Sequence, residues 1–181
     1  LCNKDLIIVC ISGGGSALLP YPVKEINLKE KIITNNILLE SGANIKEINC
    51  VRKHLSKIKG GNLIKMTQPA KVHGLILSDV VDDDLSSIAS GLTVPDNTTF
   101  LDTIDILKKY KIFKKIPLNI KKYLLKGTQN QNLETPKKTN KIFKNVSNTI
   151  IGSNFLCIKK IEEFSKIKKI NSKILFKNID Q

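Results

Sequence analysis

The stretch DLIIVCISGGGSALL, residues 5–19, decides the fold class. Residues 5–11 read as a buried strand, with an unbroken apolar run from Leu6 to Ile11 after Asp5. Ser12-Gly13-Gly14-Gly15-Ser16 follows at once as a glycine loop at the strand's carboxyl end. The chain thus opens almost immediately on a core strand, without a methionine at position 1, so further sequence upstream is expected.

Beyond this stretch, helical and strand patterns alternate. Residues 28–41 place Leu28, Ile32, Ile33, Ile37, Leu38 and Leu39 near helical spacing, with Gly42 as C-cap. Residues 45–58 repeat the pattern until Gly60-Gly61 interrupts it. KVHGLIL, residues 71–77, reads as a second buried strand. Residues 78–99 are polar and rich in Asp, Ser and Thr, and a loop of that length is usually functional. Helices are predicted over 100–110, capped from within Asp96 to Thr99, and from Pro117 to about Lys126. After a polar excursion, 127–141, residues 142–151 end in a third strand, NTIIG. Ser153 or Asn154 then caps a helix over about 155–167, and KILF, 173–176, reads as a last strand. The alternation predicts an α/β fold, a Rossmann-like α/β/α layering with a mostly parallel sheet. In such a sheet ligands sit at the carboxyl ends of the strands, where Ser12–Ser16, Ser78–Asp84 and Gly152–Asn154 fall.

The net charge of +14 is uneven: residues 1–105 sum to −1 and residues 106–181 to +15. Arg52 is the only arginine, tryptophan is absent and aromatics make up 5%. Nucleic-acid surfaces mix Arg and aromatics with Lys, so a solvated lysine face is expected here and nucleic-acid binding is not. No apolar run reaches the roughly 20 residues that cross a bilayer, and no signal-peptide pattern opens the chain. Cys2, Cys10, Cys50 and Cys157 form no CxxC pair, which reads as scattered buried thiols in a reducing cytoplasm.

Four segments carry chemistry. The loop Ser12-Gly13-Gly14-Gly15-Ser16 can turn its backbone N–H groups toward a phosphate or carboxylate, although it is neither a Walker A loop nor GxGxxG. On one helix, Arg52, Ser56 and Lys59 would share a face able to reach anionic oxygens, with Lys53 turned away. Asp79, Asp82, Asp83 and Asp84 follow the second strand. Such a cluster can hold Mg²⁺ through one or two carboxylates or position a hydroxyl, with Asp82 and Asp84 facing water. Ile88 to Asp96 is a turn whose Ser90 and Thr93 suit a ligand-lining role. Taken singly, these also read as a plain glycine turn, a basic surface helix with a packing His54, a solvated acidic loop, and turn or cap residues.

Together they resemble one family, the glycerate kinases whose larger domain is called MOFRL-associated. The resemblance lies in SGGGSALL (12–19), ESGANIKEINCVRKHLSKIKGG (40–61), LILSDVVDDDLSSIASGLTVPD (75–96) and ET (134–135), and spans nearly the whole chain. It implies ATP-dependent phosphorylation of the C2 hydroxyl of glycerate, giving 2-phosphoglycerate, in a two-domain cytoplasmic enzyme. Residues 1–181 would be part of the larger domain. An upstream lysine segment and a C-terminal MOFRL domain would lie outside. On this resemblance Ser12 to Ser16 hold phosphate oxygens, Lys59 and Arg52 neutralise charge, and Asp79 and Asp83 hold Mg²⁺ or orient the hydroxyl. Ser90, Thr93, Glu134 and Asn154 complete the site. Asp82 stands where the family has Gly, and Leu92 where it has Pro. Two other readings are a hydroxypyruvate reductase and a non-catalytic lysine-rich binding module.

Overall fold

The computed structural model describes residues 1–175. Three parallel strands, β1 (Leu6–Ile11), β2 (Lys71–Leu77) and β3 (Val146–Gly152), form a sheet in that order. Between β1 and β2 lie α1 (Gly15–Leu18), α2 (Leu28–Glu40), α3 (Ile45–His54) and α4 (Asn62–Thr67). Between β2 and β3 lie α5 (Phe100–Lys109) and α6 (Leu118–Gln129), and α7 (Asn154–Ile167) follows β3. The α/β class and the parallel pairing expected from the sequence are both observed.

Local signals account for the boundaries. Asn27 with Glu30, Asn44 with Glu47 and Thr99 with Asp102 form reciprocal capping boxes that start α2, α3 and α5. Ser153 caps α7, and Pro117 sits at the N-cap of α6. The helix expected over 45–58 stops at His54. There the chain turns to pair with residues 21–23: Lys57 N–H donates to the Tyr21 carbonyl at 2.9 Å, and Ser56 bridges Pro22. Gly61, left-handed at φ 78°, then opens α4, a helix the glycine pair concealed. Residues 173–175 are not in a strand, and Phe176, the end of the expected KILF strand, lies outside the described residues.

Two cores hold these elements. Val51, Leu55, Phe100, Leu107, Ile120 and Leu124 knit α3, α5 and α6 together. Ile11 and Ile76 pack against Ile88, Ala89 and Leu92 of the long loop, fixing it to the sheet. The alternate residues Leu6, Ile8 and Ile151 are exposed, so this part of the opposite sheet face is open among the described residues. Cys50 is buried, but Cys2, Cys10 and Cys157 are exposed, contrary to expectation.

Candidate active site at the carboxyl edge of the sheet

Ile11 pairs with Ile76, Leu77 with Gly152, and Ser78 N–H donates to the Gly152 carbonyl at 2.8 Å. The carboxyl ends of all three strands therefore share one edge. The glycine loop, the acidic loop and the start of α7 all emerge there, with Asn154 exposed at the first position of α7.

The glycine loop and the acidic loop touch. Ser12 leads into a turn closed by the Gly15 N–H on its carbonyl, with Gly14 left-handed at φ 72°. A Cβ on Gly13 would stand 2.0 Å from Asp79 Oδ2, so only glycine lets this carboxylate lie against the loop backbone. Asp79 and Asp82 are exposed and Asp83 is half-buried. Asp82 (φ 60°) and Asp83 (φ 53°) have left-handed backbones, the geometry that favours glycine at position 82. Asp84 accepts hydrogen bonds from Ser86 and Ser87 and so closes its own turn.

Ser16 is the hub of a second contact set. Lys59 Nζ donates to Ser16 Oγ at 2.7 Å and to its carbonyl at 2.5 Å. Ser90 Oγ lies 2.7 Å from Ser16 Oγ and donates to Asn49 Oδ1 at 3.1 Å. Ser90 has one hydroxyl proton, so Ser16 must be the donor between the serines. The direction runs from Lys59 through Ser16 and Ser90 to Asn49. Ser90 is fully buried at φ 60°, held there because Gly60 and Gly61 donate to the carbonyls of Ser90 and Gly91 at 2.9 and 2.7 Å. Burial, with the charges of Lys31 and Arg52, pulls the Lys59 ammonium down to about 7. Arg52 leaves α3 toward a cavity that Lys59 also lines, its Nε donating to Asn35 Oδ1 at 2.7 Å. Arg52 and Lys59 thus converge although they do not share a helix, while Ser56 is spent on the Tyr21 carbonyl.

Other expected residues stand apart from this hub. Thr93 donates to Asn148 Oδ1 at 2.6 Å, across Gly74 of β2. Glu134 accepts from the amides of Phe100 and Thr135 and from Lys137, and pairs with buried His54 at 2.8 Å. Burial pushes its carboxyl up, but His54 and those amides hold it well below the usual carboxylate range. These partners tie α3 to α5, which accounts for both His54 and Glu134 by packing. Lys53 is not a surface lysine: it is buried and ion-paired to Asp96 at 3.2 Å. Asp96 is further held by Thr98 and Thr135. Composition and spacing gave no signal for Asn49, Asn148 or Lys31, whose contacts cross between elements.

Among the described residues, no group of three or more His, Cys, Asp or Glu is placed to hold a metal ion. Asp79 and Asp83 would bind Mg²⁺ only with water and phosphate oxygens completing the shell, which is how Mg²⁺ usually sits in phosphoryl-transfer sites. The Asp79 carboxylate against the glycine loop fits that arrangement. No helix of the described residues is long and apolar enough to cross a membrane.

A family profile described as a domain of unknown function, DUF4147, matches residues 1–125. The glycerate 2-kinase of Pyrococcus horikoshii is 45% identical over 152 residues, covering 84% of this chain and 34% of its own length. A protein of Agrobacterium vitis provisionally named a hydroxypyruvate reductase is 48% identical over 133 residues, 74% of this chain and 29% of its own. The crystal structure of Thermotoga maritima glycerate kinase superposes with a TM-score of 0.83 at 38% identity, over 97% of this chain and 39% of that one. This chain spans about a third of the length of these relatives. It belongs to the glycerate kinase family, within the domain described as DUF4147.

Proposed function

We propose that the chain contributes one wall of a site that transfers the γ-phosphoryl of ATP to the C2 hydroxyl of glycerate, giving 2-phosphoglycerate, in a cytoplasmic enzyme. The observation that carries this is the meeting of the glycine loop with Asp79 on one side and with Lys59 and Ser90 on the other. Phosphoryl transfer asks mainly for positioning and charge neutralisation, and this edge supplies both. The backbone of Gly13 to Ser16 would cradle phosphate oxygens. Lys59, with Arg52, would neutralise an anionic group, and Ser90 would fix Ser16 beneath it. Asp79 and Asp83 would hold Mg²⁺, which supplies neutralisation of charge on the transferring phosphates, or orient the attacking hydroxyl. Ser12, Thr93 and Asn154 would shape the rim, and Glu134 would support it through His54 of α3.

The test is ATP-dependent formation of 2-phosphoglycerate by the intact protein, with none from residues 1–181 alone. An intact protein that instead reduces hydroxypyruvate with a nicotinamide cofactor, and transfers no phosphate, would overturn the kinase reading. That redox reading rests on the name of the Agrobacterium relative, and the loop here is SGGGSA rather than GxGxxG.

A further inference from the structure

Helix α2 turns the wrong residues inward for a helix that only packs. Its buried positions are Lys31, Thr34 and Leu38, while Leu28, Ile32, Ile33 and Leu39 are largely exposed. With half-buried Asn35, the inward set falls at i, i+3, i+4 and i+7, one continuous face. That face borders a cavity of ≈150 Å³, whose other walls include Ser16, Ala17, Arg52 and Lys59.

Lys31 is 9% exposed, and its Nζ is buried with no hydrogen-bond partner among the described residues. A buried ammonium without a partner is costly, and proteins rarely keep one. Arg52 uses one nitrogen on Asn35, and Lys59 is bonded to Ser16. Among the described residues, none that lines the cavity is acidic. Three cations therefore face one small space that contains no counter-charge from the described residues. Burial, then Arg52, pulls the Lys31 ammonium down to about 8, and the repulsion among the three is felt at Lys59 as well. Apart from Ser16, Thr34 and Asn35 the remaining walls are apolar, with Leu28, Leu38 and Leu55 among them, so a bound anion would be partly dehydrated there and its attraction to the cations strengthened.

We propose that Lys31, Arg52 and Lys59 form a binding pocket for a small oxyanion in the cavity between α2 and α3, with the free Lys31 ammonium as its unfilled donor. The chemistry shared by candidate ligands is a carboxylate or a phosphoryl group. Under the kinase reading, on which only this choice rests, the carboxylate of glycerate is the first candidate and a phosphate is the second. Lys31 contributes charge to recognition and takes no part in bond making.

The test is calorimetric titration of the intact protein with glycerate and, separately, with inorganic phosphate. Lys31→Met, similar in length but uncharged, should weaken the anion that binds by about tenfold or more, the loss expected for one charge-assisted hydrogen bond. Lys31→Arg should retain most of the affinity. Loss confined to glycerate assigns the pocket to a carboxylate, and loss confined to phosphate assigns it to a phosphoryl group. If Lys31→Met does not fold, the Cε resonance of Lys31 in the wild-type protein should still shift on titration with the same anions. Unchanged affinities in Lys31→Met, or no binding and no shift with either anion at tens of millimolar, would overturn the pocket. The two readings fail separately. Lys31-dependent anion binding in a protein without kinase activity sinks the kinase and keeps the pocket. An active kinase whose glycerate KM ignores Lys31→Met, with phosphate affinity also unchanged, does the reverse.

Discussion

The carboxylate of Asp79 lies against the Cα of Gly13, so that the acidic loop after β2 and the glycine loop after β1 share a surface without a side chain between them. Gly13 has no left-handed backbone, so alanine there is strained only by this contact. Gly13→Ala should therefore displace Asp79 while leaving the fold intact. The expected outcome is a loss of kcat of about 10²-fold, the scale of one electrostatic group, with a Tm within a few degrees of the parent. Asp79→Asn should cost little more in the Gly13→Ala background. Independent, additive effects in a double-mutant cycle would show that the contact does not matter.

Lys59 and Lys53 should separate function from stability. Lys59 meets Ser16 in the candidate site, and Lys59→Met should cut turnover by roughly 10²-fold without loss of Tm, since it removes a buried charge. Lys53 is the buried partner of Asp96, and Lys53→Ala leaves that carboxylate uncompensated. It should lower unfolding free energy by roughly 3–5 kcal/mol. Denaturant melts beside initial rates check both. A Lys59→Met enzyme with normal turnover would remove Lys59 from the site.

Much of the fold was legible because strand burial writes itself as continuous apolar runs. β2 falls on 71–77 as read, and the cap expected within Asp96 to Thr99 is Thr99. Helix facing was less legible. The apolar residues of α2 suggest one inner face, but Lys31 and Thr34 occupy it, because the cavity and not a hydrophobic partner lies across from them. The candidate site was legible where the backbone makes it, at Ser12–Ser16 and Asp79. It was not legible where side chains meet across 41 to 80 residues, as in Ser90 with Asn49 or His54 with Glu134.

Stability should respond to pH through the buried lysines. Both start from 10.5, and in the folded chain Lys59 lies at about 7 and Lys31 at about 8. Between those values and 10.5 the unfolded chain holds more protons than the folded one, so unfolding free energy rises with pH there. Cys50 opposes this above 9.0, because burial raises its thiol to about 12 and the unfolded chain ionises first. The lysine contribution should thus be clearest from pH 7 to 9. The urea midpoint should climb across that interval, and Lys31→Met with Lys59→Met should flatten the climb. Oxyanion affinity should fall over the same interval, since the lysines must be charged to bind. A midpoint that falls with pH, and falls equally in the double variant, would contradict the assignment.

The acidic loop gives a graded prediction. Asp79 stands against the glycine loop, Asp83 is half-buried one turn further on, and Asp84 is occupied by Ser86 and Ser87. Asparagine keeps the size of each side chain but removes the charge that Mg²⁺ needs. Asp79→Asn and Asp83→Asn in the intact enzyme should therefore abolish most activity and raise the Mg²⁺ concentration required for half-maximal rate. Neither should unfold the protein, because exposed or half-exposed carboxylates so close together gain little from one another's presence. Asp84→Asn retains an oxygen for the Ser86 amide, and its new NH2 can donate to the Ser86 and Ser87 hydroxyls in place of the second oxygen, so its rate and its Mg²⁺ dependence should stay near those of the parent. Initial rates measured across a Mg²⁺ titration distinguish the three positions. Three variants that all follow the parent curve would make this loop ordinary solvated charge, and the role proposed for Asp79 and Asp83 would have to be given up.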